Sequence, residues 1–162
     1  MGSLALWIKS TGLPAAITYY PWLWPICETL HFVGLTLVIG ITGIFDLRLM
    51  GFMRSVPVGA AMDLMPWAIL GFAVNLVTGV IFFLGAPDQY INNIAFYFKI
   101  LFIMIAGLNA IYFQVALFRK TYPLDAGADT PFMAKAVGFT SLLCWLAVMY
   151  WGRMLPFMGN AF

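Results

Sequence analysis

Four polar residues in a largely apolar chain have the types and spacings that could bind a cofactor. His31 is the only histidine, so it alone could supply an imidazole for metal ligation or a proton step. Glu28 precedes it by three residues, which places both on one face of a helix. Lys99 and Arg153 lie at similar depths in later apolar segments. Together these residues could bind an anionic or redox ligand, with His31 as the candidate metal ligand.

A structural interpretation of the same residues stays open. Glu28 could neutralise Lys99 or Arg153 in an ion-pair girdle, with the long cationic side chains reaching toward the membrane surface. Three further candidates for the cofactor site fall on stripes of small side chains at helical spacing: Asn75, Asn109 and Trp145. A buried amide could bind a ligand or link two helices, and the accompanying glycines favour close helix packing.

The composition indicates which elements must position these residues. Of the 162 residues, 64% are hydrophobic and 9% are charged, whereas a soluble domain carries about 25% charged residues. The 8 basic and 6 acidic side chains cannot cover a solvated surface, which argues against a soluble enzyme and a disordered chain. A net charge of +2 offers no basic patch for nucleic acid. We therefore predict an all-α integral membrane protein.

Charged residues divide the sequence into four apolar stretches, each near the roughly 20 residues that a membrane-spanning helix needs. The stretches predict helices at about 25–48, 64–85, 94–118 and 134–156. Short loops between them favour an antiparallel four-helix bundle.

The N-terminal part of the chain differs from the four stretches. Pro14, Pro21 and Pro25 interrupt its helical pattern, and the tryptophans and tyrosines around them are typical of a membrane interface. We therefore divide the chain into an interfacial N-terminal segment, residues 1–24, and a four-helix bundle, residues 25–162.

Basic residues predict the orientation of the bundle. The first and third loops and the adjoining helix ends carry most of them: Arg48, Arg54, Arg119, Lys120 and Lys135. The second loop, residues 86–93, carries no lysine or arginine. The positive-inside rule then places the first and third loops in the cytoplasm. Both termini would face the periplasm if the membrane is the inner membrane of a bacterium.

Sulfur-containing residues offer one further chemistry. Two methionine pairs with i, i+3 spacing flank the first loop: Met50 with Met53, and Met62 with Met65. Thioethers suit Cu(I), although methionine is equally a flexible apolar filler. Cys27 and Cys144 fall at different predicted depths, so we expect no disulfide between them.

The stretch from Glu28 to Gly51 carries the most specific pattern in the chain. It reads Glu-x-x-His, a glycine-containing apolar run and then Asp-Leu-Arg-Leu-x-Gly, at Glu28, His31, Asp46, Leu47, Arg48, Leu49 and Gly51. This pattern resembles the first helix of an uncharacterised bacterial family of small four-helix membrane proteins. The likeness continues at Trp67, Gly71, Thr78, Gly79, Lys99, Gly107, Asn109, Ser141, Trp145, Gly152 and Arg153. The resemblance implies a four-helix fold and no established activity.

A looser likeness connects the chain with copper-resistance membrane proteins and with the membrane subunits of b-type cytochromes. These also place a histidine early in a helix. The chain departs from the b-type pattern because it has no second histidine, which excludes a bis-histidine haem within one protomer. Such a haem would need another ligand or His31 of a second copy.

These features together predict a membrane redox subunit. His31 would ligate a haem b or hydrogen-bond a quinone, Lys99 and Arg153 would hold propionates or polarise the quinone, and Glu28 would orient His31 or carry a proton. A structural or assembly subunit of a larger membrane complex is one alternative, and transport of copper or a small solute is another.

The expected partners are the lipid bilayer and either further copies of the chain or other subunits. The sequence has no Gly-x-Ser-x-Gly elbow and no glycine-rich phosphate loop, which disfavours a hydrolase or a transferase. Whether the chain is an enzyme stays open at this point.

Overall fold

The computed structural model describes residues 3–158, and every regular element within them is a helix. In chain order the elements are α1 (Ser3–Ser10), α2 (Leu13–Thr18), α3 (Leu23–Met50), α4 (Val58–Met62), α5 (Met65–Gly85), α6 (Pro87–Ile91), α7 (Ile94–Tyr112), a π-helical segment (Phe113–Leu117), α8 (Phe118–Thr121) and α9 (Phe132–Met158).

The four predicted helices are confirmed as helices, with shifted ends. Four helical stretches are long and apolar enough to cross a membrane: Leu23–Met50, Val58–Gly85, Ile94–Thr121 and Phe132–Met158. Helix α3 begins before Pro25 because a proline is tolerated in a first turn, where its missing N–H has no partner to lose. The helix ends at Gly51, whose φ of 92° is a left-handed conformation that favours glycine.

The N-terminal segment is helical and packs on later parts of the chain. Helix α1 buries Ala5 and Ile8, and the Lys9 ammonium forms an ion pair with Asp88 of α6. Helix α2 lies against α5, where Ile17 approaches Gly85. Of the three prolines expected to interrupt the helical pattern, only Pro21 lies between helices; Pro14 and Pro25 lie in the first turns of α2 and α3, and Gly12, with a φ of 74°, separates α1 from α2. The interfacial position of the segment stays a prediction.

Helices α3 and α5 approach each other most closely at two glycines. A Cβ atom on Gly34 would lie 2.7 Å from the carbonyl oxygen of Gly71, and one on Gly71 would lie 2.7 Å from that of Gly34. Further along, His31 meets Thr78, and Trp24 meets Phe82. Residue numbers rise on one helix as they fall on the other, so the pair is antiparallel.

Helix α9 packs against both α7 and α3. Asn109 of α7 hydrogen-bonds the carbonyl of Val137, whereas the Lys99 side chain reaches Gly152, so α7 and α9 are also antiparallel. On the α3 side, a Cβ on Gly138 would lie 2.8 Å from the carbonyl oxygen of Asp46.

The largest apolar cluster lies at the end of the molecule that holds the first and third loops. Its buried members are Phe45, Leu49, Val58, Ala61, Phe113, Leu117, Ala134 and Val137. The Phe45 and Phe113 rings meet edge to face with centroids 5.2 Å apart. The cluster therefore joins α3, α4, α9 and the π-helical segment.

Arg48 connects this end of α3 to both neighbouring loops. It is 0% exposed, although it is an arginine. Its Nε donates to the carbonyl of Val56, and its Nη2 donates to the carbonyls of Asp125 and Ala128 at 3.3 and 3.1 Å. We therefore assign Arg48 a structural role.

A second network at the same end lies on the surface. Asp129 forms ion pairs with Arg54 at 3.2 Å and with Lys135 at 2.9 Å. The hydrogen bond from Lys135 lowers the pKa of the Asp129 carboxyl. This network joins the first loop, the third loop and the start of α9.

Candidate functional site around His31

The His31 side chain is half-buried on the face of α3 that meets α5. Its Nδ1 lies 2.7 Å from the Thr78 hydroxyl, and its ring lies 5.6 Å from the ring of Phe82. The geometry brings residues together that are 47 positions apart in the chain. The ring is therefore held by α5 on one side.

The Thr78 hydroxyl determines which imidazole nitrogen carries the proton. A hydroxyl has one proton to donate, and Thr78 directs it to the carbonyl of Val74 at 2.8 Å in its own helix. His31 Nδ1 is then the donor to Thr78, and Nε2 keeps a free lone pair. Within residues 3–158, Nε2 makes no hydrogen bond. This is the arrangement in which a histidine can accept a proton or ligate a metal.

Asn75 supports His31 from the backbone side. With its amide oriented to satisfy both groups, its nitrogen donates to the His31 carbonyl at 2.6 Å and its oxygen accepts from the Leu35 N–H at 3.0 Å. The His31 carbonyl and the Leu35 N–H are four residues apart in α3, so they belong to the same helical turn. The Asn75 amide therefore links α5 to the backbone of α3 at that turn. Asn75 thus positions the helix turn that carries His31.

Lys99 is the cation that the structure brings closest to this site. It is half-buried, lies within electrostatic reach of the His31 ring and extends along α9 at Gly152. Among the described residues it has no salt bridge. The ammonium is thus available as a hydrogen-bond donor beside the imidazole.

Glu28 and Arg153 lie at the same end of the helices but have other contacts. Glu28 is exposed and accepts a hydrogen bond from Trp24 Nε1 at 3.1 Å. The Arg153 guanidinium is exposed and stacks over the Phe157 ring at 5.1 Å. Over residues 3–158, no salt bridge of the proposed ion-pair girdle joins Glu28 to Lys99 or Arg153.

An aromatic pair connects Glu28 with His31. The Trp24 ring packs on Phe82 with centroids 5.0 Å apart, and Phe82 also packs on His31. The Glu28 carboxylate also faces Tyr90 of α6, whose pKa is raised to about 12 by burial and by this negative charge. Glu28 is therefore a neighbour of the site and does not contact the imidazole.

The other two candidates lie elsewhere. Asn109 Nδ2 donates to the carbonyl of Val137 at 3.0 Å, and this bond links α7 to α9. Trp145 packs edge to face on Phe72, with centroids 6.3 Å apart, between α9 and α5. The structure thus places both in contacts between helices and apart from His31.

Sequence reasoning assigned no site role to two polar residues that position helices here. Thr78, which the sequence marks only through the family likeness, is the hydrogen-bond partner of His31. Asn93 is 2% exposed, caps the start of α7 by accepting from the Ala95 N–H at 3.0 Å, and donates to the Leu155 carbonyl at 2.8 Å. An asparagine one residue before a helix is a recognisable capping signal, but its second partner is visible only in three dimensions.

The sulfur-containing residues contribute packing. Met62 and Met65 lie against the apolar cluster near the first loop. Cys27 and Cys144 are both buried and free, which confirms that they form no disulfide. No group of three or more histidine, cysteine, aspartate or glutamate residues in the described part of the chain is arranged to hold a metal ion.

The described part of the chain is all-helical. Four of its helical stretches are long and apolar enough to cross a membrane, and polar side chains lie around His31. Comparisons with family models, curated proteins and solved structures give no match for this chain. The likeness to the bacterial four-helix family therefore stays a prediction.

Proposed function

We propose that this chain is a membrane-embedded redox subunit that binds a quinone at His31. Two neighbouring groups carry the proposal. Nε2 of His31 has a free lone pair, and the Lys99 ammonium, which acts electrostatically on His31, has no salt bridge among the described residues. The first group accepts a proton and the second donates a hydrogen bond, and a quinol head group presents hydroxyls and oxygens that suit both. Thr78 holds the imidazole in the required tautomer.

The membrane setting rests on the four apolar helices and on their exposed faces. Large apolar side chains point outward along the helices, including Ile69, Leu108 and Val115, which are 68%, 64% and 82% exposed. In water such surfaces would be costly, whereas lipid would cover them. We infer that the helices cross the inner membrane of a bacterium as an antiparallel bundle. The loops rich in basic residues would face the cytoplasm, and both termini the periplasm.

When bound, a quinone would supply two-electron redox chemistry. His31 would accept a hydroxyl proton through Nε2, and Lys99 would donate to an oxygen of the head group. A haem b fits the donor set less well, since the chain offers one imidazole and no second histidine. A haem would therefore need another protein ligand, an open coordination position or His31 of a second copy.

An assembly role is the second candidate function. Three asparagine amides, those of Asn75, Asn93 and Asn109, are committed to bonds that hold helices together. The broad exposed apolar faces could receive further copies or other subunits. Co-purification with stoichiometric partners and without quinone would favour this role over the redox one.

A quinone assay on the purified protein tests the proposal. Organic extracts of wild-type protein in mild detergent should contain quinone, and the visible spectrum should lack a Soret band. His31→Ala should lose the quinone while still inserting. Thr78→Val should weaken the binding of an added short-chain quinol by up to about tenfold, since a hydrogen bond contributes about 0.5–1.5 kcal/mol.

Lys120→Gln is the matched control, because Lys120 is exposed at the opposite end of the third apolar stretch. It should bind quinol as the wild type does. Full quinone content in His31→Ala, or none in the wild type, would overturn the proposal. A Soret band in the wild type that disappears in His31→Ala would transfer the site to haem.

A further inference from the structure

Asp46 is a buried carboxyl group that the proposed quinone site does not use. It lies in α3, fifteen residues after His31, which separates the two by roughly 22 Å along the helix. Asp46 is 3% exposed, and its Oδ2 atom has no hydrogen-bond partner among residues 3–158. Burying a carboxyl oxygen without a hydrogen-bond partner costs folding free energy, and such groups are rare in native structures.

The basic side chains at this end of residues 3–158 form no ion pair with Asp46. Arg48 is the nearest cation in sequence; its Nε and Nη2 donate to the carbonyls of Val56, Asp125 and Ala128, and its Nη1 is buried without a hydrogen-bond partner among the described residues. Arg54 and Lys135 pair with Asp129 on the surface. In the described chain no salt bridge includes Asp46.

Helix α9 supplies the polar groups that do face this carboxyl. The Ser141 hydroxyl lies within hydrogen-bonding reach of it, and the Cys144 thiol lies close enough to interact with its charge. Helices α4 and α5, which also pack on α3, carry no charged residue. A serine and a thiol cannot balance a carboxylate, because neither brings a positive charge.

Helix α9 covers the turn of α3 that carries Asp46, which is 3% exposed. A Cβ on Gly138 would lie 2.8 Å from the Asp46 carbonyl oxygen, so α9 passes directly against this turn of α3. An aspartate side chain is too short to extend past a neighbouring helix as lysine and arginine do. An ionised carboxylate without a partner is far more costly to bury than a neutral acid.

We propose that Asp46 is a proton-binding site: it carries a bound proton in the contact between α3 and α9, and loss of that proton weakens the contact. The ligand of the site is the proton itself. The Ser141 hydroxyl faces the carboxyl, and α9 passes against this turn of α3 at Gly138. The proposal is independent of the quinone site.

Infrared spectroscopy of the whole protein in lipid nanodiscs detects the acid form directly. The wild type should show the carbonyl stretch of a protonated carboxylic acid at about pH 7, a value far above the usual pKa of aspartate. Asp46→Asn, a neutral substitution of similar shape, should lose this band. Asp63→Asn is the matched control and should keep it, because Asp63 is exposed.

Thermal unfolding in detergent supplies a second measurement. Since the folded state holds a proton that the unfolded state releases, wild-type stability should fall as the pH rises. The unfolding temperature of Asp46→Asn should not show this part of the pH dependence, whereas Asp63→Asn should behave as the wild type.

Three results would overturn the proposal. The first is a wild-type spectrum at neutral pH without the acid band, and the second is a band that persists in Asp46→Asn. The third is a wild type that is stabilised by sodium chloride and not by choline chloride, with the difference lost in Asp46→Asn. That last result would assign the carboxylate to a sodium ion.

Discussion

Gly34→Ala is expected to lower the stability of the folded protein by about 2–3 kcal/mol, the upper part of the usual range for an overpacked contact. The added methyl carbon would lie 2.7 Å from the Gly71 carbonyl oxygen and 2.8 Å from the side-chain amide of Asn75. The first of these atoms belongs to the backbone, so α3 and α5 would have to separate. Denaturant or thermal unfolding in detergent, followed by circular dichroism, measures the effect.

Gly40→Ala is the matched control for this prediction, since it makes the same change in the same helix. A Cβ on Gly40 would meet no atom within 4 Å. Alanine favours a helix over glycine by roughly 0.5–1 kcal/mol, so this variant should be neutral or slightly more stable. Equal unfolding temperatures for the two variants would show that α3 and α5 do not meet at Gly34.

Arg48→Leu is expected to have an effect of similar size for a different reason. The substitution removes the donor from three carbonyl groups, those of Val56, Asp125 and Ala128. At about 1 kcal/mol for each lost hydrogen bond, the expected destabilisation is about 3 kcal/mol. Unfolding in detergent measures the loss, and faster proteolytic cleavage between residues 122 and 131 should accompany it.

Arg54→Leu provides the comparison for Arg48. Arg54 pairs with Asp129, and both side chains are about half exposed. Exposed ion pairs contribute between about 0 and 1 kcal/mol, so little change is expected. If Arg48→Leu proved as stable as Arg54→Leu, the buried arginine would not connect α3 to the loops.

Much of the helical fold could be predicted from where the charges stand. A helix in an apolar environment satisfies its own backbone hydrogen bonds, so the charge-free stretches predicted the four long helices. Helix ends are harder to predict, because Pro25 is compatible both with the first residue of a helix and with a later position in its first turn, as the start of α3 at Leu23 shows. Local chemistry alone does not decide between these two uses of a proline.

The candidate site could be predicted only in part. The spacing of Glu28 and His31 placed them on one helix face, but it could not show that Glu28 bonds Trp24 and leaves His31 to Thr78. The partners of a side chain come from a second helix, whose rotation depends on where glycines permit close approach. Likewise, the sequence does not show that Arg48 donates to three backbone carbonyl groups, whereas Oδ2 of Asp46 has no hydrogen-bond partner among the described residues.

The π-helical segment at Phe113–Leu117 has a consequence for the register of the third apolar stretch. One turn there holds roughly one extra residue, and each residue of an α-helix advances about 100° around the axis. The part of the stretch after the wide turn is therefore rotated by about that angle relative to α7. Asn109 lies before the wide turn and bonds α9, and Leu117 lies at its end and enters the apolar cluster. One inserted residue therefore changes the directions in which side chains before and after the wide turn project.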